Sequence, residues 1–160
     1  MKSEFLLIWQ KSKRWLYRGG HPNFLARVLN RGWAIIHSLG VAPNYLVTLE
    51  VVGRHSGRVI SFPLAMVNLD RERYLVSMLG IEATWVRNLR AAGGHATLRH
   101  GRTEHILLEE VPVEKRARVL KAYLRIAPGA RPHIPVDKNA TIEQFEAIAA
   151  QFPVFRVTSG

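Results

Sequence analysis

The sequence predicts an α+β fold: a mainly antiparallel, barrel-like sheet with flanking helices. From residue 44 onward, apolar residues alternate or run continuously in short stretches, which is typical of strands. Short turns separate most of these stretches, and strands joined by short hairpins pair antiparallel. Helical periodicity appears before, between and after the strands, so the 160 residues combine both element types in one domain.

Two amphipathic helices are predicted near the start of the chain, at 4–17 and 23–38. Both contain tryptophan and basic residues. This composition is typical of helices packed on a protein core and also of helices that lie on anionic membranes. We expect one domain, 1–160, in which helices within 1–40 pack on or beside a barrel core at 44–157. Peripheral membrane contact and a homodimer are the alternatives for this segment.

Five strands and one short helix are predicted between residues 44 and 111. The first two strands are joined by GRHSGR, the next by DRER, and the last two by His100-Gly101. The helix precedes the fourth strand, with Trp85 and Leu89 four residues apart on one face. The strands are predicted at 44–52, 58–68, 74–79, 95–100 and 103–111, and the helix at 82–92.

Two further helices and a last strand follow. Thr141 and Gln144 have the spacing of a capping box, which predicts a helix start. A segment rich in proline and glycine precedes them, and long loops in compact domains are often functional. The helices are predicted at 113–126 and 142–151, the loop at 127–140 and the strand at 153–157.

The composition is strongly basic, with 23 Lys+Arg against 12 Asp+Glu and a net charge of +11. This charge favours an anionic partner, either a small polyanion, a membrane surface or a nucleic acid, or else a basic solubility surface. Nucleic acid is not expected, because no DNA-reading helix or basic aromatic strand motif occurs. The chain has no cysteine, which excludes disulfides and thiolate sites. Without a spanning segment or a secretory pattern, we expect a cytoplasmic protein, with membrane association as the alternative.

The turn at 53–58, GRHSGR, is richer in donors than a hairpin turn requires. Its two glycines allow backbone N–H groups to point at a ligand, and two guanidiniums and a hydroxyl add charge-assisted donors. The spacing fits neither a Walker A loop nor a dinucleotide fingerprint. The turn is therefore either an anion site or a solvated loop.

Asn88 lies in the middle of the helix predicted at 82–92, beside Trp85. A tryptophan here is most simply a core residue, whereas a buried asparagine amide needs hydrogen-bond partners. Asn88 therefore indicates a hydrogen-bonding function.

Protein-side catalytic machinery is not evident in the sequence. The histidines of the 95–105 hairpin lack a carboxylate or cysteine at metal-ligand spacing, so no metal site is expected. The serines lack a nucleophile-elbow setting, and Glu109 and Glu110 are adjacent on a strand, so they point to opposite faces. Donors and aromatics without a catalytic group are typical of an enzyme whose cofactor carries the chemistry.

These motifs resemble the deazaflavin-dependent nitroreductase family. The resemblance covers residues 44–111 and is most specific in the G-R-x-S-G turn followed by Pro-Leu, and in W-x-x-N-L at Trp85, Asn88 and Leu89. It implies a split β-barrel that binds the deazaflavin coenzyme F420. It also implies hydride transfer between reduced F420 and an electron-poor small molecule such as a quinone, enone or nitro compound.

The resemblance also implies site residues. The turn would hold the phosphate and glutamyl tail, the Pro-Leu pair and the 77–80 backbone would line the ring, and Trp85 and Asn88 would lie beside the phosphate. The implied cofactor-binding residues are Arg54, His55, Ser56, Gly57, Arg58, Pro63, Leu64, Ser77, Met78, Gly80, Trp85 and Asn88. On the acceptor side, the candidate proton donors are Tyr123, Arg131 and His133.

Three places depart from the family pattern. His55 stands where a lysine is common, Val59 and Ile60 stand where Pro-Arg is common, and Leu79 stands where a lysine or similar polar residue is common. Arg58 is a candidate replacement for the absent arginine. These departures leave an FMN-dependent oxidoreductase, or a flavin-binding protein without catalysis, as the alternative reading, and a basic membrane- or nucleic-acid-binding module as a third.

Overall fold

A computed structural model of the chain describes residues 45–160. The helices predicted within 1–40, and their placement beside the barrel, lie outside these residues. Six strands and three α-helices form the described part. The strands are β1 (Leu46–Val52), β2 (Val59–Leu69), β3 (Glu72–Val76), β4 (His95–His100), β5 (Arg102–Glu110) and β6 (Val154–Ser159). The helices are α1 (Thr84–Ala91), α2 (Ala117–Ile126) and α3 (Ile142–Ile148).

The strands close into an antiparallel barrel in the order β1-β2-β3-β6-β5-β4, which confirms the predicted fold class. Three pairings are local hairpins. The β2–β3 hairpin turns through two residues, Asp70 and Arg71, that both have positive φ, as a tight type I′ turn requires. The other three pairings, β1–β4, β3–β6 and β5–β6, join distant parts of the chain.

The barrel interior is apolar because alternate residues of each strand point inward. Leu49 lies opposite both Phe62 and Leu98, and all three are buried. The opposite face of β2, β3 and β6 packs against α2 and α3, where Val67, Val76 and other side chains form a second cluster. Within residues 45–160 there is therefore one core inside the barrel and one between the barrel and its helices.

The predicted capping box is present: Gln144 N–H donates to Thr141 Oγ1, and Thr141 N–H donates to Gln144 Oε1. The helix predicted at 113–126 begins instead as a 3₁₀ turn, Val113–Lys115, before α2. The loop at 127–140 contains a second 3₁₀ turn, Pro128–Ala130, and the last turn of the 142–151 helix is also 3₁₀.

The third strand is shorter than predicted. It ends at Val76, and the residues from Ser77 to Gly80 form a turn instead, because Ser77 Oγ donates to Gly80 O at 2.7 Å and Gly80 N–H donates to Ser77 O. Gly80 has φ +81, a conformation that ends the strand. No helix of residues 45–160 is long and apolar enough to cross a membrane.

Candidate functional site

One end of the barrel carries every predicted cofactor residue that lies in a loop. The β1–β2 turn at 53–58 is at this end. Because β3 runs antiparallel to β2, the turn at 77–80 is at the same end. Val76 pairs with Val154, so the segment that enters β6 lies there as well. Topology thus brings together segments that are far apart in sequence.

The turn at 53–58 is closed by its own hydrogen bonds. Gly53 N–H donates to Arg58 O and Gly57 N–H donates to Gly53 O, both at 2.8 Å. Arg58 N–H donates to Ser56 Oγ at 3.2 Å. A Cβ on Gly53 would lie 2.8 Å from that same hydroxyl, so a larger residue there would displace the Ser56 side chain. The turn is a defined structure, although residues 54–58 are exposed.

Arg54 links this turn to helix α1. Asn88 Oδ1 accepts two hydrogen bonds from Arg54, one from the backbone N–H at 3.3 Å and one from guanidinium NH1 at 2.9 Å. The two sequence motifs therefore meet, with Asn88 only 2% exposed beneath an exposed arginine. The expected hydrogen-bonding function of Asn88 is confirmed, and its partner is the turn itself.

The amide nitrogen of Asn88 has no partner. Nδ2 is buried and makes no hydrogen bond, and it is the only such buried side-chain atom within residues 45–160. Exchanging the amide oxygen and nitrogen of Asn88 would not give Nδ2 an acceptor, because Nδ2 would then face the two donors of Arg54. A buried amide donor without an acceptor is costly, and ligand sites are a common reason for one.

The positive charge of the turn is not neutralised by nearby acids. Among residues 45–160, Arg54 and Arg58 form no ion pair, whereas eight other arginines there do. In the same part of the chain, the N–H groups of His55 and Ser56 make no hydrogen bond. Arginine side chains and unused backbone donors at a glycine turn can bind a phosphate or carboxylate.

Several polar groups of the turn at 77–80 are satisfied by hydrogen bonds within the protein. Ser77 is fully buried, and its N–H donates to Pro153 O at 2.9 Å. A Cβ on Gly80 would lie 3.2 Å from Gln151 O, so the turn sits close against the segment that leads into β6. Within residues 45–160, the Met78 and Leu79 N–H groups have no acceptor, which leaves two donors at this turn for a ligand.

A cavity of about 330 Å³ opens beside this turn. Its volume is at the lower end of the range for small-molecule sites. Met78 and Gly80, which the resemblance places at the ring, lie here beside His133, a predicted proton donor. Gln151 and Phe152 also line the cavity, and the sequence did not indicate them. The cavity is lined by Met78, Leu79, Gly80, His133, Gln151 and Phe152.

Pro63 and Leu64 were both implied to line the ring, but as neighbours in β2 their side chains point to opposite faces of the sheet. Leu64 lies opposite Val47 on the inward-facing row, so Pro63 is on the outer face. β3 pairs with β2 only from Met66 onward. Within residues 45–160, the β2 edge from Val59 to Leu64 therefore has no strand partner, and proline is tolerated at such an edge.

Three other predicted residues have structural contacts. The Trp85 ring packs edge-on against Phe155 with centroids 5.3 Å apart, so it belongs to the barrel core. Tyr123 is 4% exposed in the cluster between barrel and helices, and burial raises the pKa of its hydroxyl. Arg131 Nε donates to Leu124 O at 3.2 Å. Because Tyr123 is enclosed by the helical core, it does not belong to the site.

Comparison with known proteins finds similarity of structure only. No protein-family model matches the chain, and no curated protein does. Within residues 45–160, no cluster of three or more potential metal ligands occurs. Several solved structures do match, each over 71–81% of the chain for those with a TM-score of at least 0.50.

One of these is an F420-H2-dependent reductase, with 17% identity, a TM-score of 0.50, and coverage of 71% of this chain and 94% of the reductase. A second, from Bacteroides thetaiotaomicron, is assigned to 5-nitroimidazole antibiotic resistance; it has 14% identity, a TM-score of 0.50, and coverage of 80% and 77%. A third, of unknown function, from Agrobacterium tumefaciens, has 9% identity, a TM-score of 0.54, and coverage of 72% and 48%. At these identities the match establishes the split-barrel fold.

Proposed function

We propose that this protein is an oxidoreductase that binds the deazaflavin F420 and transfers hydride between the reduced coenzyme and an electron-poor small molecule. Quinones, enones and nitro compounds are the proposed acceptors. The observation that carries the proposal is the contact between Arg54 and Asn88. It joins the two motifs that resemble the family and, among residues 45–160, leaves a buried amide donor without an acceptor beside an arginine that forms no ion pair.

The arrangement of the site supports an elongated ligand with an anionic tail. The turn at 53–58 lies between β1 and β2, and the cavity lies where β3 meets β6. In the barrel these positions are about two strand spacings apart, or roughly 10 Å. The unpaired β2 edge from Val59 to Leu64 runs between them. A tail bound at the turn would allow a planar ring to lie along this edge and reach the cavity.

The residues of the chain would bind and orient, while bound F420 supplies the hydride chemistry. Arg54, Arg58 and the N–H groups of His55 and Ser56 would hold the tail. The Met78 and Leu79 N–H groups would donate to polar atoms of the ring. His133, at the cavity wall, is the proposed proton donor to the acceptor.

FMN is the second candidate cofactor, and the residues around the turn favour it in one respect. Val59 and Ile60 follow the turn where the family has Pro-Arg, and Val59 is 63% exposed beside the arginines. Leu79 lines the cavity where a polar residue is common in the family. A long polyanionic tail would thus find fewer positive groups than in the family, whereas a single phosphate needs only the turn.

The test is titration of the purified protein with F420, FMN and FAD, followed by ligand fluorescence. We expect F420 to bind, and the variant Arg54→Gln/Arg58→Gln to bind it at least tenfold more weakly, because glutamine has neither the positive charge nor the bidentate donor fork of a guanidinium. The matched control is Arg71→Asn/Arg125→Gln, which removes the same charge from exposed positions away from the turn.

We expect the control to bind F420 within about twofold of the wild type. Preferential binding of FMN would replace F420 with the second candidate. Absence of binding by all three cofactors would refute the proposed function. For the acceptor, oxidation of reduced cofactor is followed with a naphthoquinone, an enone and a nitroimidazole. Absence of turnover with all three would reduce the proposal to a binding protein.

A further inference from the structure

We infer that Gln151 is a specificity-determining residue, through which the cavity beside the 77–80 turn selects an uncharged polar acceptor. The inference rests on the proposed function, since it takes this cavity as the place where an acceptor enters, and it adds the chemical class of that acceptor. Its basis is a separation of charge between two parts of the site, the turn at 53–58 and the cavity.

Gln151 has a fixed backbone and a free side chain. It ends the 3₁₀ turn Ala149–Gln151, where Phe152 N–H donates to Ala149 O at 3.3 Å, and both of these neighbours are buried. The Gln151 carbonyl oxygen lies close against Gly80. The residue lines the cavity, and within residues 45–160 its amide makes no hydrogen bond. Both the amide donor and the amide acceptor are therefore left for a ligand.

Among the residues that the structure describes, the cavity is lined by no acid, lysine or arginine. Its two polar side chains are those of His133 and Gln151, and the other lining residues are apolar or glycine. Arg131 is close to His133 in sequence, but it does not line the cavity, and its Nε donates to Leu124 O at 3.2 Å. The cavity wall is thus polar in places without holding a permanent charge.

The turn and the cavity therefore favour ligand groups of different charge. Arg54 and Arg58 form no ion pair within residues 45–160, so they can neutralise a phosphate or a carboxylate. A carboxylate in the cavity would lose water without gaining a cation, which is costly. A carbonyl, amide or nitro group needs only a neutral partner, and the Gln151 amide can supply one.

A charged residue at position 151 would change this selection. Lysine would place an ammonium group at the cavity wall, and an anionic acceptor would then gain a charge-assisted hydrogen bond. Residue 151 is exposed, while its buried neighbours Ala149 and Phe152 contribute the packing, so the exchange does not disturb the core. Selectivity for charge can therefore be altered at this position without loss of the fold.

The experiment uses the full chain without cofactor and two probes of the same shape, the para isomers of nitrobenzamide, which is neutral, and nitrobenzoate, which is an anion. Cavity affinity is measured from the backbone amide signals of Met78, Leu79 and Gly80 during an NMR titration. The titrations are run at pH 8, so that imidazole does not supply a positive charge. Nitrobenzoate bound at the turn shifts the signals of residues 54–58 instead, so the two parts of the site are measured separately.

We expect the wild-type cavity to bind nitrobenzamide at least tenfold more tightly than nitrobenzoate. In Gln151→Lys the affinity for nitrobenzoate should rise at least tenfold. In Gln151→Leu, which keeps the size but removes the amide, the affinity for nitrobenzamide should fall about fivefold. The matched control is Ala150→Lys, which adds the same charge at an exposed position that does not line the cavity. Its nitrobenzoate affinity should stay within about threefold of the wild type at about 0.15 M NaCl.

Equal affinity of the wild-type cavity for the two probes would overturn the inference, and so would nitrobenzamide that leaves the cavity signals unshifted. A rise in nitrobenzoate affinity no larger in Gln151→Lys than in Ala150→Lys, or unchanged nitrobenzamide affinity in Gln151→Leu, would also overturn it. The outcome is separable from the proposed function. If the probes bind as expected but F420, FMN and FAD do not bind, the selectivity assigned to Gln151 stands and the proposed function fails. If a cofactor binds but the probes do not show this pattern, only the inference fails.

Discussion

Glu104 links strands β3 and β5 of the barrel through arginine. It accepts a hydrogen bond from Arg73 NH1 at 2.9 Å and one from Arg102 Nε at 2.6 Å. The hydrogen bond from Arg73, followed by that from Arg102, lowers the pKa of the Glu104 carboxyl below its ordinary value of 4.5. Because the group is partly exposed, the effect on stability is modest, but its direction is fixed by linkage.

A lowered pKa in the folded state means that the unfolded chain takes up a proton first as the pH falls. The contribution of Glu104 is therefore complete well above pH 4.5 and is lost below it, as the folded carboxyl becomes protonated. We expect the free energy of unfolding of Glu104→Gln to fall less steeply than that of the wild type below about pH 5. Urea denaturation at several pH values measures this. Glu146→Gln, at an exposed position, is the control, and parallel curves for Glu104→Gln and the wild type would contradict the expectation.

Residue types in the sequence predicted that some side chains form hydrogen bonds, but rarely which residue is the hydrogen-bond partner. The polar amide of Asn88 in an apolar helix indicated a hydrogen bond, and the structure confirms it. That the partner is Arg54, 34 positions away, could not be read from the sequence, because it depends on how α1 meets the β1–β2 turn. Gln151 gave no signal at all, since a polar residue near a helix end is usually solvated.

At the scale of elements, Arg116 joins three segments at the start of α2. It is 6% exposed, and it donates to Val111 O at 2.8 Å, to Ala149 O at 3.2 Å and to Glu110 Oε1 at 3.2 Å. The end of β5, the 3₁₀ turn after α3 and helix α2 are thus tied by one guanidinium. Its planar fork reaches these acceptors together, which a lysine could not do.

We expect Arg116→Ala to lower the free energy of unfolding by about 3 kcal/mol, because it leaves buried carbonyls without donors. Arg118→Ala is the control. Arg118 forms an exposed ion pair with Asp70, so its removal should cost less than about 1 kcal/mol. Urea denaturation of both variants measures the difference. Equal losses in the two variants would show that Arg116 does not tie these elements together.

Element type could be predicted from the sequence more reliably than element ends. Alternating and continuous apolar runs indicated all six strands, because side-chain burial follows the period of the backbone. The predicted end of β3 was wrong, because the apolar letters continue through Met78 and Leu79 while a side-chain hydrogen bond from Ser77 turns the chain. Those two residues line the cavity beside the turn rather than continuing a strand.

The charge of the whole molecule bears on how anions approach the site. The net charge is +11, and residues 1–44 contribute seven Lys+Arg and one Asp+Glu to it. Such an excess attracts anionic ligands over distances comparable with the Debye length, which is about 10 Å at 0.1 M salt. Binding of an anionic cofactor should therefore weaken as salt is added.

We expect the affinity for F420 to fall more steeply with NaCl concentration than the affinity for FMN, because F420 carries more negative groups. The slope for F420 should be shallower in Arg54→Gln/Arg58→Gln, since this variant removes two positive charges that, in the proposed site, would face the tail. Fluorescence titrations between about 50 and 500 mM NaCl measure these slopes. An unchanged slope in the double variant would mean that the anion binds elsewhere on the basic surface.

Sequence patterns predicted a barrel-like sheet but not its strand order. Hairpins between neighbours follow from short turns, whereas the pairings β1–β4 and β3–β6 depend on packing between distant segments. The same limit applies to predicting the site from the sequence. The turn at 53–58 was predictable because it is local, and the cavity was not, because three separate segments line it.

The closed sheet also has a consequence for biosynthesis. β6 begins 78 positions after β3 ends, and it pairs with both β3 and β5. While a ribosome is still translating the segment before Val154, the nascent chain can form at most a five-stranded sheet with two unpaired edges. Such edges can pair with other chains, and contacts of high sequence separation form slowly. The interval before β6 emerges is therefore when the edges of β3 and β5 are open to pairing with other chains.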